Sequence, residues 1–180
     1  MSCPTELCGV WKQDMARCES LCPLLAGLGM PKLLQHMACP IADRTTTTLR
    51  ISCPEPGVVE IVDKTAFGRN PTRVATDGSE REQLTRGRKK PFLISAEATA
   101  GRSVLHCRLI SRGPGWHTRQ ERFLSTDQFD ETGSPLLVER HVLVRPSEPD
   151  VVVTRHFRRG NDEDLRPPVG EPDSAPSSRG

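Results

Sequence analysis

Tyrosine is absent from this 180-residue chain, and two Trp and five Phe bring the aromatics to only 4%. Stacking platforms for single-stranded nucleic acid are therefore scarce. The 25 basic and 23 acidic residues leave a formal charge of +2, too little for a phosphate-tracking field, so no nucleic-acid partner is expected. No run approaches the roughly 18 apolar residues of a membrane-crossing helix. The opening MSCPTELCGVWKQDMARCES lacks a basic stretch followed by an apolar one, which argues against a secretory leader. Seven cysteines cannot all pair within one chain, which disfavours a secreted disulfide framework. A reducing, cytoplasmic setting is the expectation. G-x-S-x-G, P-loop, dinucleotide and HExxH patterns are all missing, so neither an enzyme nor a cofactor is expected. Cys18 and Cys22 could share a helix face, but a closed zinc site needs a second ligand pair and none follows, so no metal is expected.

Short segments with recognisable periodicity remain. From Asp14 to Met37 the apolar residues Met15, Leu21, Leu24, Leu25, Leu28, Leu33, Leu34 and Met37 recur at helical spacing. Pro23, Gly27, Gly29 and Pro31 interrupt them, so the pattern predicts two short helices joined near Gly27-Leu28-Gly29. After Pro40 the texture becomes that of strands: Thr45–Ser52, Val58–Asp63, Thr72–Ala75, Arg81–Leu84, Phe92–Ala98, Val104–Ser111, His117–Leu124, Pro135–Arg145 and Val151–Arg158. Turn residues such as Pro56-Gly57, Asp77-Gly78 and Gly133-Ser134 separate them. An antiparallel meander of that size manages its edges by closing into an up-and-down barrel. Residues 1–159 are thus expected to form one mainly β domain with a helical lid at about 14–37. Gly160–Gly180, poor in large apolar residues, is expected to be a disordered tail.

The order of elements then becomes specific. Gly9, Trp11 and Lys12 precede a helical pair containing Leu28-Gly29, then Pro40, then Val59-Glu60-Ile61, Thr65-x-Phe67 and Asn70, and the last strand reads Val-Val-Val-Thr-Arg-His-Phe over 151–157. Across roughly residues 7–159 this layout resembles the intracellular lipid-binding proteins, the fatty-acid-binding and cellular retinoid-binding family. The resemblance implies a ten-stranded, calycin-like barrel capped by a helix-turn-helix around a water-filled cavity. It implies a long-chain fatty acid or similar apolar carboxylate as ligand, held by two arginines and a tyrosine. On this chain those positions are Arg122, Arg155 and, replacing the tyrosine, Phe157. Ser125–Ser134 departs from the pattern as a longer loop carrying Asp127, Asp130 and Glu131.

Strand periodicity gives a separate reading of the same residues. Val151, Val153, Arg155 and Phe157 share one face, and a guanidinium among apolar side chains calls for an anion. That anion is either a ligand or a protein carboxylate such as Glu121 or Glu139; the resemblance favours the ligand. Thr118, Gln120, Arg122 and Leu124 share a face of another strand, and a one-residue slip would put Arg119 in the place of Arg122. Phe67, Val74, Leu84, Ile94, Leu105, Cys107 and Leu124 are candidate wall residues, with Leu24, Leu25, Leu28, Leu33 and Leu34 beneath the lid. Arg86–Lys90 reads as a solvated turn, with nuclear import or transient membrane contact as alternatives. The expected activity is non-catalytic lipid binding and transport by a monomer. The alternative is a barrel that has lost lipid and works as a protein-interaction module.

Overall fold

The computed structural model describes residues 4–65, 68–83, 92–109 and 117–165; Phe67, Leu84, the Arg86–Lys90 run and the chain beyond 165 lie outside them, as does the Cys107 side chain. Ten antiparallel strands form one sheet: β1 (Gly9–Gln13), β2 (Thr48–Glu55), β3 (Val58–Thr65), β4 (Gly68–Ala75), β5 (Arg81–Gln83), β6 (Phe92–Thr99), β7 (Arg102–Leu109), β8 (His117–Phe129), β9 (Pro135–Arg145) and β10 (Glu148–Arg159). The spatial order β4-β3-β2-β1-β10-β9-β8-β7-β6-β5 sets the first and last strands side by side. The sheet curls, and an Asp77–Glu97 bridge brings its two margins together. The result is the mainly β, helix-capped barrel that the meander predicts.

Alternation places one side chain in two on the inner face. One apolar cluster joins Leu7, Trp11, Leu49, Ile51, Val59, Ile61, Leu137 and Phe157. Leu7 sits in a single 3-10 turn (Thr5–Leu7), fixed by the Trp11 indole N–H donating to the Leu7 carbonyl at 2.8 Å. A second cluster, Val74, Ile94, Ala96 and Leu105, lines β4, β6 and β7. The third joins Leu24 to Leu143 and Val153, with Leu21, Leu28 and Val151 packed around it.

The third cluster is where the cap meets the barrel. Helix α1 (Cys22–Gly27) lies directly on β9 and β10. Gly27 permits this approach, since a Cβ there would stand 2.6 Å from Leu143 Cδ2. Gly29, at φ +77°, then reverses the chain into α2 (Lys32–Arg44). Two expectations fail in α2. It does not end before Pro40 but runs through it, and the lost amide bond falls on an exposed face, where a freed carbonyl is open to solvent. Its leucines do not underlie a lid either: Leu33 is 74% exposed, and Leu34, Met37 and Ile41 are exposed beside it. The helix has α1 as its main packing partner, with Asp43 also accepting from the Ser20 hydroxyl, and the apolar stripe is left in water. A disulfide, Cys22–Cys39 with Cα atoms 5.5 Å apart, ties the two helices and departs from the expected reduced thiols.

Two further differences concern loop and tail. Half of Ser125–Ser134, expected as a loop, continues β8 to Phe129 past a register shift, leaving a short turn in which the Asp130 carboxylate accepts from the Thr132 and Ser134 amides. Within the segment assigned to the tail, Asp162–Leu165 forms a 3-10 turn; Leu165 is buried, and Lys12 Nζ and Lys64 Nζ reach the Asp164 side chain and carbonyl, each at 2.8 Å.

The burial pattern generates a contrast. Leu137→Ala, at a site with no exposed surface, should cost about 2–5 kcal/mol in urea denaturation, whereas Leu33→Ala should stay within about 0.5 kcal/mol.

Candidate functional site

Three inward positions on β10 run Val153, Arg155, Phe157: apolar, cationic, apolar. Successive inward residues stand about 7 Å apart, so Arg155 lies between the cap cluster and the Trp11 cluster. The register sets Arg155 opposite Glu139 on β9, and Glu139 opposite Arg122 on β8. Three charged side chains from adjacent strands therefore meet on the inner face, and Arg122, Glu139 and Arg155 are 1%, 1% and 6% exposed.

Glu139 is the centre. Its Oε1 accepts from Arg122 Nη2 at 2.6 Å, and its Oε2 accepts from Arg155 Nη1 at 3.4 Å and from His141 Nε2 at 2.8 Å. In that tautomer His141 Nδ1 accepts from the Gln120 amide at 3.1 Å, while Gln120 Oε1 accepts from Arg122 Nη2 at 3.3 Å. Arg155 Nη2 donates to Gln13 Oε1 and to the Thr47 hydroxyl, and Gln13 Oε1 also takes the Thr47 amide. Arg155 thereby ties β10 to β1 and to the stretch leading into β2. Burial works against an ionised Glu139, yet His141, Arg122 and Arg155 outweigh it and hold its pKa far below the ordinary glutamate range. Asp63, inward on β3, goes the other way: burial pushes its pKa up, with Arg122 opposing and Glu139 adding to the rise.

The sequence-predicted residues divide accordingly. Arg122 and Arg155 come together as expected, but around a carboxylate of the chain itself, the protein alternative that periodicity leaves open. Arg119 faces outward, where Glu121 gathers Arg119 at 3.0 Å, Arg102 at 3.2 Å and Arg140 at 3.9 Å, which resolves the slip in favour of Arg122. Phe157 is no head-group contact: it is fully buried in the Trp11 cluster, its ring 5.2 Å beneath the Arg155 guanidinium. Ile94 and Leu105 line the second apolar cluster, Leu124 packs against the first, Leu28 lies under the cap, and Leu33 is outside. Gln13, Thr47, Asp63 and His141 were missed. The alternation Leu137, Glu139, His141, Leu143 carries the same signal as Arg155 among valines and could have exposed two charged partners.

The inner face is not uniformly apolar. Inward-facing Asp63, Thr118, Gln120 and His141 keep solvent-accessible surface, and the apolar core is split into three clusters around the polar band. Arg122 Nε and Nη1 and Arg155 Nε are enclosed without a hydrogen-bond partner among the described residues. A crevice of about 200 Å³, lined by Gln13, Met15, Cys18, Leu21, Ala42 and Asp43, runs beneath the end of α2 to Gln13, which touches Arg155.

No protein-family model and no curated protein matches the sequence. Solved structures do match. Apo lipid binding protein 8 of Caenorhabditis elegans aligns with a TM-score of 0.64 at 16% identity, covering 89% of this chain and 99% of that one. A Schistosoma mansoni fatty acid binding protein in complex with arachidonic acid aligns at 0.60 and 12% identity, covering 88% and 98%. The chain has the fold of the fatty-acid-binding proteins. The fluorescent protein UnaG shares this fold too, at 0.62 and 20% identity over 88% and 100%. One architecture therefore accompanies very different sequences, and the polar band has to be read from this chain's own residues.

The opposed shifts of Glu139 and Asp63 generate a pH prediction. Glu139, held low, stabilises the fold at neutral pH, and that contribution is lost as acid titrates it below the usual glutamate range. Asp63, pushed up, costs stability as pH rises from the ordinary aspartate range through its elevated value. Asp63→Asn should therefore be more stabilising, relative to the parent, at pH 7 than at pH 3.5; urea midpoints at both pH values measure the difference.

Proposed function

We propose that this protein binds one long-chain lipid reversibly and without covalent chemistry, with the chain against the inner apolar clusters and the head group at the Arg122–Glu139–Arg155 band. Carriage of that lipid through an aqueous compartment is the function. The observation that carries the reading is a buried row of charged side chains on the inner face of a barrel, flanked by apolar clusters and by inward residues that keep solvent-accessible surface. Apolar burial supplies most of the affinity at about 25 cal/mol per Å², less the cost of immobilising the lipid's torsions. Directed polar groups fix its orientation. The fold neighbours support the lipid class, since several are described as fatty acid or lipid binding proteins.

The fatty acid suggested by the family resemblance would have both guanidiniums for its carboxylate, and this chain has already placed Glu139 between them. A lipid rather than specifically a free acid is therefore the reading supported at this level. A second reading, the interaction module, is favoured by the exposed Leu33, Leu34, Met37 and Ile41 stripe, which has no counterpart in the barrel to cover it.

Titrating delipidated protein with Nile red, displaced by 16-carbon lipids, should give one site per chain. Thr118→Trp, which fills accessible inner space, should weaken binding at least tenfold, while Val152→Trp on the outer face should not. A protein that takes up neither dye nor lipid would leave the interaction module standing.

A further inference from the structure

We infer that the lipid accommodated in this barrel has an uncharged polar head, because Glu139 occupies the anion position between Arg122 and Arg155. The inference rests on the lipid-binding reading and names the ligand class for the same site.

Charge counting carries the argument. The inner band holds two guanidiniums, Arg122 and Arg155, and two carboxyl groups, Glu139 and Asp63, with His141 already committed to Glu139 and Gln120. A ligand carboxylate would be a third acid in an enclosed space with two cations. It would stand beside Glu139, and carboxylates that share a site cannot all stay ionised without loss. Seating it requires either a proton on Asp63 or displacement of Glu139 from a 2.6 Å bond to Arg122. Arg155 offers little in return, since Gln13, Thr47 and Glu139 already take both terminal nitrogens.

What the site still offers is hydrogen bonding without a charge deficit. Among the described residues, two nitrogens of Arg122, a residue 1% exposed, carry no hydrogen-bond partner, and neither does Arg155 Nε. An enclosed donor without an acceptor costs free energy, so an acceptor is wanted there. A hydroxyl or amide oxygen satisfies it without adding charge, and the hydroxyl or amide hydrogen can be donated to a neighbouring acceptor in turn. A long-chain alcohol or primary amide fits this description; a fatty acid at neutral pH does not.

The test compares hexadecanol, hexadecanamide and palmitic acid, each presented from cyclodextrin, as competitors of Nile red on the delipidated full-length protein at pH 7.4. Alcohol and amide should bind at least tenfold more tightly than the acid. Glu139→Gln should narrow or close that gap by strengthening the acid at least tenfold relative to the alcohol. Because that variant leaves two enclosed guanidiniums uncompensated and can fail to fold, Glu139→Gln with Arg155→Gln supplies a charge-balanced companion, in which the acid should remain the weakest. The comparison on the parent protein decides the matter regardless of either variant. Palmitic acid binding as tightly as the alcohol, or more so, would overturn the inference while upholding lipid binding. Binding of none of the three, nor of Nile red, would remove the lipid reading and the inference with it.

Discussion

A carboxylate held between two guanidiniums in the interior of the sheet is the contact on which the rest of this molecule turns. Glu139 draws β8, β9 and β10 into one electrostatic unit, and Arg155 extends it through Gln13 and Thr47 to β1 and the approach to β2. Truncating one partner of an enclosed ion pair costs about 3–5 kcal/mol, because the remaining charge is stranded. Replacing such a cluster wholesale with apolar residues is often neutral, so its presence is weak evidence of a stabilising role. Among the described residues, Arg122 and Arg155 also keep enclosed donors without an acceptor, which a purely stabilising cluster would not need.

The polar band also determines how the apolar surface is arranged. The Trp11, Val74 and Leu24 clusters stay separate, with charged and amide groups on the same inner face. Each cluster then has a separate task. The Trp11 group seals one end beneath Leu7, the Leu24 group anchors α1, and the Val74 group lines the margin where the sheet closes. The cap divides in the same way: α1 is bonded to the barrel by packing, whereas α2 is held by its neighbour helix and the Cys22–Cys39 link. Its exposed stripe makes it the cap element least constrained by the barrel.

Likeness of fold and likeness of site separate in this protein. Structures at 12% to 20% identity share the barrel, because alternation and tight turns define it and many sequences satisfy both. The inner polar groups obey no such tolerance. A single acid in the band changes its charge balance without altering a strand. Phe157 shows the complementary case: at a position where the resemblance implies a tyrosine hydroxyl, an apolar ring has joined the sealing cluster and supports Arg155 from below.

The amino-acid order alone determined the strands after Pro40, most of their turns, the inward phase of Arg155 and the barrel class, since these depend on two-residue alternation and local backbone preference, whereas β1 shows in it only as an apolar entry. It also marked Glu139 as one possible counter-charge to Arg155 but could not choose between it and a ligand. Tertiary structure made that choice, because cross-strand register, which no local pattern encodes, aligns Arg122, Glu139 and Arg155 in a single row. The same holds for α2, whose leucine spacing suits burial and exposure equally: only its packing partner decides which side faces water.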